Sequence, residues 1–167
     1  KGGLTPSAVL TTRYAYDNNG NLRFVVSPQG EVAEYKYNSA GEQTSSIVYR
    51  DNIYDLSGLG ASGSIPESNL ETWTAGISDK STVERINTTY DFRGNISTVT
   101  TYSAADSSGN GLTSKPYTTV TYVYDQDGNL LSRQSSGVAN SEVFVNGGLG
   151  RILSSTDLNN AATTIGS

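Results

Sequence analysis

The chain has 167 residues, 35% of them hydrophobic, with no cysteine or histidine, and eleven Lys and Arg against sixteen Asp and Glu give a formal net charge of −5. This excludes disulfides, Ser-His-Asp and Cys-His catalysis and His-based zinc sites, and the acidic balance argues against a nucleic-acid backbone or an anionic membrane surface as partner. No apolar run approaches the roughly 18 residues of a membrane-spanning helix, and the opening Lys1-Gly2-Gly3-Leu4-Thr5-Pro6 lacks the hydrophobic stretch of a signal peptide.

The first predicted strand is Arg13-Tyr14-Ala15-Tyr16, closed by Asp17-Asn18-Asn19-Gly20. Asp accepts a backbone N–H two residues on and Gly supplies the positive φ of a hairpin turn. Leu22, Phe24 and Val26 then share one face, Ser27-Pro28-Gln29-Gly30 makes a second turn, and the chain returns through Val32 to Tyr37. A second copy of the opening pattern reads Tyr35-Lys36-Tyr37-Asn38 with Gly41.

An insertion spans Asp51 to Val83. It starts with a flexible Gly- and Ser-rich stretch over 56–63, and Ser64-Ile65-Pro66-Glu67 reads as a capping box before a short helix. Leu70, Trp73 and Ile77 form its apolar stripe, and Gly76 ends it. The stripe is expected to lie on the sheet.

Downstream, Ile86, Thr88, Tyr90 and Phe92 alternate on one face, and Tyr90-Asp91 with Gly94-Asn95-Ile96 is a third copy. The segment 103–111 reads as a polar surface loop without chemistry. Val120, Tyr122 and Tyr124 precede the fourth copy's Asp125-Gln126-Asp127-Gly128-Asn129-Leu130, and a worn fifth runs from Phe144 through Gly150-Arg151-Ile152. The alternating positions on these strands are the predicted core.

The glycines at 20, 41, 94, 128 and 150 are spaced by 21, 53, 34 and 22 residues. Two intervals share a period too short for helical-pair repeats, while two strands and two turns fit in about 20 residues. The expected fold is therefore all-β: a curved antiparallel sheet of repeated hairpins with one short inserted helix. The copies lie near 13–30, 31–50, 84–102, 118–136 and 142–158, with insertions at 51–83 and 103–117, and the whole of 1–167 forms one repeat region. Its motif residues are Tyr14, Tyr16, Asp17, Gly20, Tyr35, Tyr37, Gly41, Tyr90, Asp91, Gly94, Tyr122, Tyr124, Asp125, Gly128 and Gly150.

The spelling Tyr-x-Tyr-Asp-x-x-Gly-Asn-Leu at 14–22 and 122–130 resembles the YD repeats of the bacterial rearrangement-hotspot (RHS) family. Asn38, Thr88, and Phe144 with Asn146 and Gly147 mark the degraded copies. The resemblance implies a β-hairpin strip winding into a hollow shell, which in toxin members encloses a C-terminal effector domain. It also implies secretion or a bacterial cell-surface location, and partners that are neighbouring repeats of the same polypeptide or an enclosed toxin domain. The Asp-Pro-x-Gly motifs associated with self-cleavage in that family are missing, since no Asp-Pro pair occurs. The chain is expected to be an internal piece whose terminal strands, Thr5 to Leu10 and Ala161 to Ile165, expose edges that self-associate.

No enzyme is expected. Glu31 with Glu34, and Asp51 with Asp55, are chance carboxylate pairs. Asp125-Gln126-Asp127-Gly128-Asn129 imitates a calcium loop but has Ser136 where Glu is needed, so no cofactor or metal is expected. The alternative function is a glycan-binding adhesin surface, with Tyr35, Tyr122 and Trp73 as sugar contacts.

Overall fold

In the computed structural model, which describes residues 10–60 and 62–158, ten strands form one antiparallel sheet ordered as they occur in the chain. They are β1 (Arg13–Tyr16), β2 (Leu22–Val26), β3 (Glu31–Tyr37), β4 (Gln43–Ile53), β5 (Glu84–Tyr90), β6 (Ile96–Tyr102), β7 (Tyr117–Tyr124), β8 (Leu130–Ser135), β9 (Glu142–Asn146) and β10 (Ile152–Asp157), with helix α1 (Glu67–Gly76) between β4 and β5. Each motif copy is a hairpin whose register shifts next to its turn, at Ala15/Tyr16, Lys36/Tyr37, Thr89/Tyr90, Val123/Tyr124 and Ile152/Ser154. A three-residue loop closed by a left-handed glycine produces that bulge.

The core lies on one face of the first four strands. Ala15, Phe24, Glu34 and Ile47 are cross-strand partners in series, as are Val26, Val32 and Tyr49. The insertion after β4 covers this face with Ile65 and Leu70, both buried, and Val83 and Ala105 complete the cluster. Trp73 stands edge-on to Tyr49 at 5.4 Å and to Tyr54 at 5.7 Å. Burying Leu70 alone stabilises by about 1.5–3 kcal/mol. Two clamps hold the insertion down: Arg13 donates to the carbonyls of Gly63 (2.9 Å) and Gly60 (3.0 Å), and Tyr54 N–H donates to Gly30 O (2.9 Å). Gly30 sits at φ +88°, and a Cβ there would strike the Tyr54 carbonyl oxygen, so the clamp requires glycine.

From β5 onward the described strands carry few buried side chains, Phe144 and Ser155 being the exceptions, and this overturns part of the predicted core. Phe92 lies in the turn that follows β5, beyond the end of the strand alternation, and is 95% exposed; Ile86 is 37% exposed, and Thr88, Tyr90, Val120, Tyr122, Tyr124 and Leu22 are only partly buried. Strand alternation sets a common face but cannot supply a second layer to cover it. Cross-strand threonines take the place of apolar packing here, with hydroxyl bonds between Thr89 and Thr98 (2.7 Å) and between Thr100 and Thr119 (2.9 Å).

The helix forms where expected, but the capping box does not. Pro66 occupies the cap position, which carries no side-chain hydrogen bond, and Ser64 lies too far upstream to cap. Glu67 instead accepts from Arg23 at 3.3 Å. The helical stripe stands: Leu70 and Thr74 are buried, and Trp73 and Ile77 pack against the core. Of the two predicted edge segments, residues 5–9 and 161–165 lie outside the described residues.

Candidate functional site: a turn ladder and an aromatic depression

Each motif turn is a small hydrogen-bonded box. Asp17 Oδ1 accepts from the N–H groups of Asn19 (2.9 Å) and Asn21 (2.8 Å), and Oδ2 accepts from the Asn21 side-chain amide (2.9 Å). Asp91 with Arg93 and Asn95 repeats this, as does Asp125 with Asp127 and Asn129. The asparagine amide holds each of these aspartates below its ordinary carboxyl range. At the second copy Asn38 plays the same part towards Ala40 and Glu42. Asp125 thus accepts three bonds from its own turn, which accounts for the calcium-loop spelling.

The segment expected to be a featureless polar loop contains another such box. Asp106 Oδ1 accepts from Ser108 (2.9 Å) and Asn110 (2.8 Å), and Arg85 donates to Gly109 O at 2.9 Å. Ala105 beside it is buried in the core. Its spelling, Asp106-Ser107-Ser108-Gly109-Asn110, carries the Asp-x-x-Gly-Asn of the motif, and only the missing tyrosines hid it.

The turns stack. Tyr37 hydroxyl donates to Leu22 O, Tyr90 hydroxyl to Gln43 O, and the Asn146 amide to Leu130 O, each at 2.9 Å. Each acceptor stands two residues after the glycine of the preceding turn. The residue between them, Asn21, Glu42, Asn95 or Asn129, reaches the glycine of the next turn: a Cβ on Gly41, Gly94, Gly128 or Gly150 would lie 3.9, 3.0, 3.8 or 2.5 Å from that side chain. At the β1 end the ladder stops. Tyr16 is 56% exposed, and among the described residues nothing lies within 4 Å of a Cβ on Gly20.

Tyr35, Tyr122 and Trp73 do not converge. The register places Tyr35 and Tyr122 on the face opposite the core, on β3 and β7, whereas Trp73 lies on α1 over the core face. Tyr122 lines a cavity of about 310 Å³ with Arg133 and Glu142, but those two are already paired at 2.6 Å. Trp73 lines an open depression of about 480 Å³ with Ile53, Tyr54, Asp55, Asn69 and Thr72. Sequence reasoning missed Tyr54, Asn69 and Thr72. Asn69 had a signal, standing four residues before Trp73 on one helical face.

Three carboxylates of the two chance pairs, Glu31, Glu34 and Asp55, have partners of their own. Glu34 is buried, accepts from Tyr49 hydroxyl at 2.7 Å and lies 3.4 Å from Lys36, while Glu31 faces Arg50 at 3.7 Å. Burial, reinforced by the Glu34 charge, pushes the Tyr49 hydroxyl well above its ordinary range. Asp55 accepts from the Ser57 N–H and hydroxyl, both at 2.8 Å. Among the described residues no helix is long and apolar enough to cross a membrane, and no group of three or more acidic side chains is placed to hold a metal. No family model matches the chain, and no curated protein matches it.

Proposed function

We propose that the chain is a non-catalytic structural strip of the kind YD repeats build, forming wall or spacer in a large secreted or bacterial cell-surface protein. In toxin members of the family it resembles, such a wall encloses an effector domain. The observation that carries this reading is the turn ladder. The motif's aspartates, asparagines and glycines are used in making turns, and two of its second tyrosines, Tyr37 and Tyr90, in joining one turn to the next, so these parts of the repeat are accounted for by architecture. A strip of this design extends by adding units, because each turn presents a side chain that reaches the next turn's glycine, and at three of the four steps a carbonyl that a tyrosine or asparagine of the next turn meets.

The end of the ladder that is open among the described residues then defines the partner. Tyr16 and Gly20 form a socket for a preceding turn of the same type, and Arg151 with the Ile152 carbonyl occupies the complementary position after Gly150. Another repeat of the same polypeptide, or the far end of a second copy, fits both sides. Light scattering across a concentration series tests this. The chain is expected to associate as concentration rises, and Tyr16→Lys, a change at an exposed side chain, is expected to keep it monomeric. A monodisperse monomer at high concentration with a high unfolding midpoint would overturn the proposal.

A further inference from the structure

We infer that the depression between α1 and the end of β4 is a binding site for a neutral saccharide, with Trp73 and Tyr54 as the platform and Asp55, Asn69 and Thr72 as the polar rim. The inference does not rest on the strip reading, since these residues lie in the insertion and outside the turn ladder.

The depression holds about 480 Å³, within the roughly 300–1,000 Å³ typical of small-molecule sites, which combine apolar and aromatic walls with a few placed polar groups. Its aromatic wall is rigid. Tyr49 at 5.4 Å and Tyr54 at 5.7 Å fix the Trp73 ring edge-on, and the Tyr54 backbone is clamped to Gly30. The rim is pre-set as well. Ser57 orients the Asp55 carboxylate through two bonds at 2.8 Å, leaving about two of its roughly four acceptor sites open. Thr72 hydroxyl donates to Ser68 O at 2.8 Å, which engages its proton and leaves its oxygen as an acceptor. Among the described residues the Asn69 side-chain amide makes no hydrogen bond, so it can both donate and accept.

This combination selects a ligand class. Among the described residues no Lys or Arg lines the depression, and Asp55 would repel an anion. A purely apolar ligand would strip water from Asp55, Asn69 and Thr72 without replacing its hydrogen bonds. A sugar ring satisfies both demands: its C–H face lies on one aromatic ring with the other, inclined at 65°, as a side wall, while its hydroxyls exchange bonds with carboxylate, amide and hydroxyl.

Trp73 is the only tryptophan, so its fluorescence reports on this site alone. The whole chain is titrated with N-acetylglucosamine, galactose and cellobiose. Saturable change at millimolar concentration is expected for at least one, with N-acetylneuraminic acid weaker. Asn69→Ala and Asp55→Asn should each weaken that binding by about three- to tenfold, with the parent's urea midpoint retained, while Tyr35→Ala on the other face leaves it unchanged. The Tyr16→Lys variant should bind as the parent does, which separates this outcome from that of the association test. No saturable change with any of the three sugars, stronger binding of the anionic sugar, or binding indifferent to both rim substitutions would overturn the inference.

Discussion

Tyr90 donates its hydroxyl to the carbonyl of Gln43 at 2.9 Å across 47 residues of chain, the same bond that Tyr37 makes to Leu22 across 15. The insertion between β4 and β5 is therefore looped out of the ladder without interrupting it. Ser45 and Asn87 pair directly, as do Ile47 and Arg85, so the sheet closes behind the excursion.

Removing that bond tests the ladder. Tyr90→Phe is expected to lower stability by about 1 kcal/mol, because the Gln43 carbonyl loses a partner at a half-buried position. Tyr14→Phe, whose ring is 55% exposed on the bare face, should leave the urea midpoint unchanged. Equal losses in the two variants would show that the hydroxyl bond contributes nothing specific.

Within a turn, the first aspartate should matter far more than the third residue. Asp125→Ala removes the acceptor of three bonds, whereas Asp127 contributes its backbone N–H, which Asp127→Ala preserves. Gly128→Val forces a β-branched residue to φ +84°, at a cost of about 1 kcal/mol or more. Urea midpoints of the three variants, ordered parent, Asp127→Ala, then the other two, check this.

Acid should loosen the turns together. Asp17, Asp91 and Asp125 are held below their ordinary carboxyl range by asparagine amides, so the folded state binds protons less readily than the unfolded one. Their contribution is fully present above the ordinary aspartate pKa of about 4 and is lost as pH falls below it, through the depressed folded values. The urea midpoint should be level on the neutral side and decline below that point, and Asn129→Ala should make the decline shallower. A midpoint that stays level through the acid range in the parent would contradict the role given to these carboxylates.

The hairpins, their turns and the inserted helix were legible because each is set by short-range chemistry. Asp17 to Gly20 closes a turn from its own atoms, and Leu70, Trp73 and Ile77 mark an apolar stripe by spacing alone. The same local logic reaches the box at Asp106, where an intact Asp-x-x-Gly-Asn closes the turn without the motif's tyrosines.

What required the tertiary structure was everything depending on which surface meets which. Phe24 on β2 and Val123 on β7 stand on the same face of the sheet by register, yet one is fully buried and the other 49% exposed, because the insertion folds back over β1 to β4 and not over β7. The pairing of Tyr90 with Gln43 and the meeting of Tyr54, Asp55, Asn69 and Trp73 have the same origin. Turn formation is decided within five residues of sequence, whereas covering a sheet face and assembling a depression depend on contacts between segments that the linear order keeps apart.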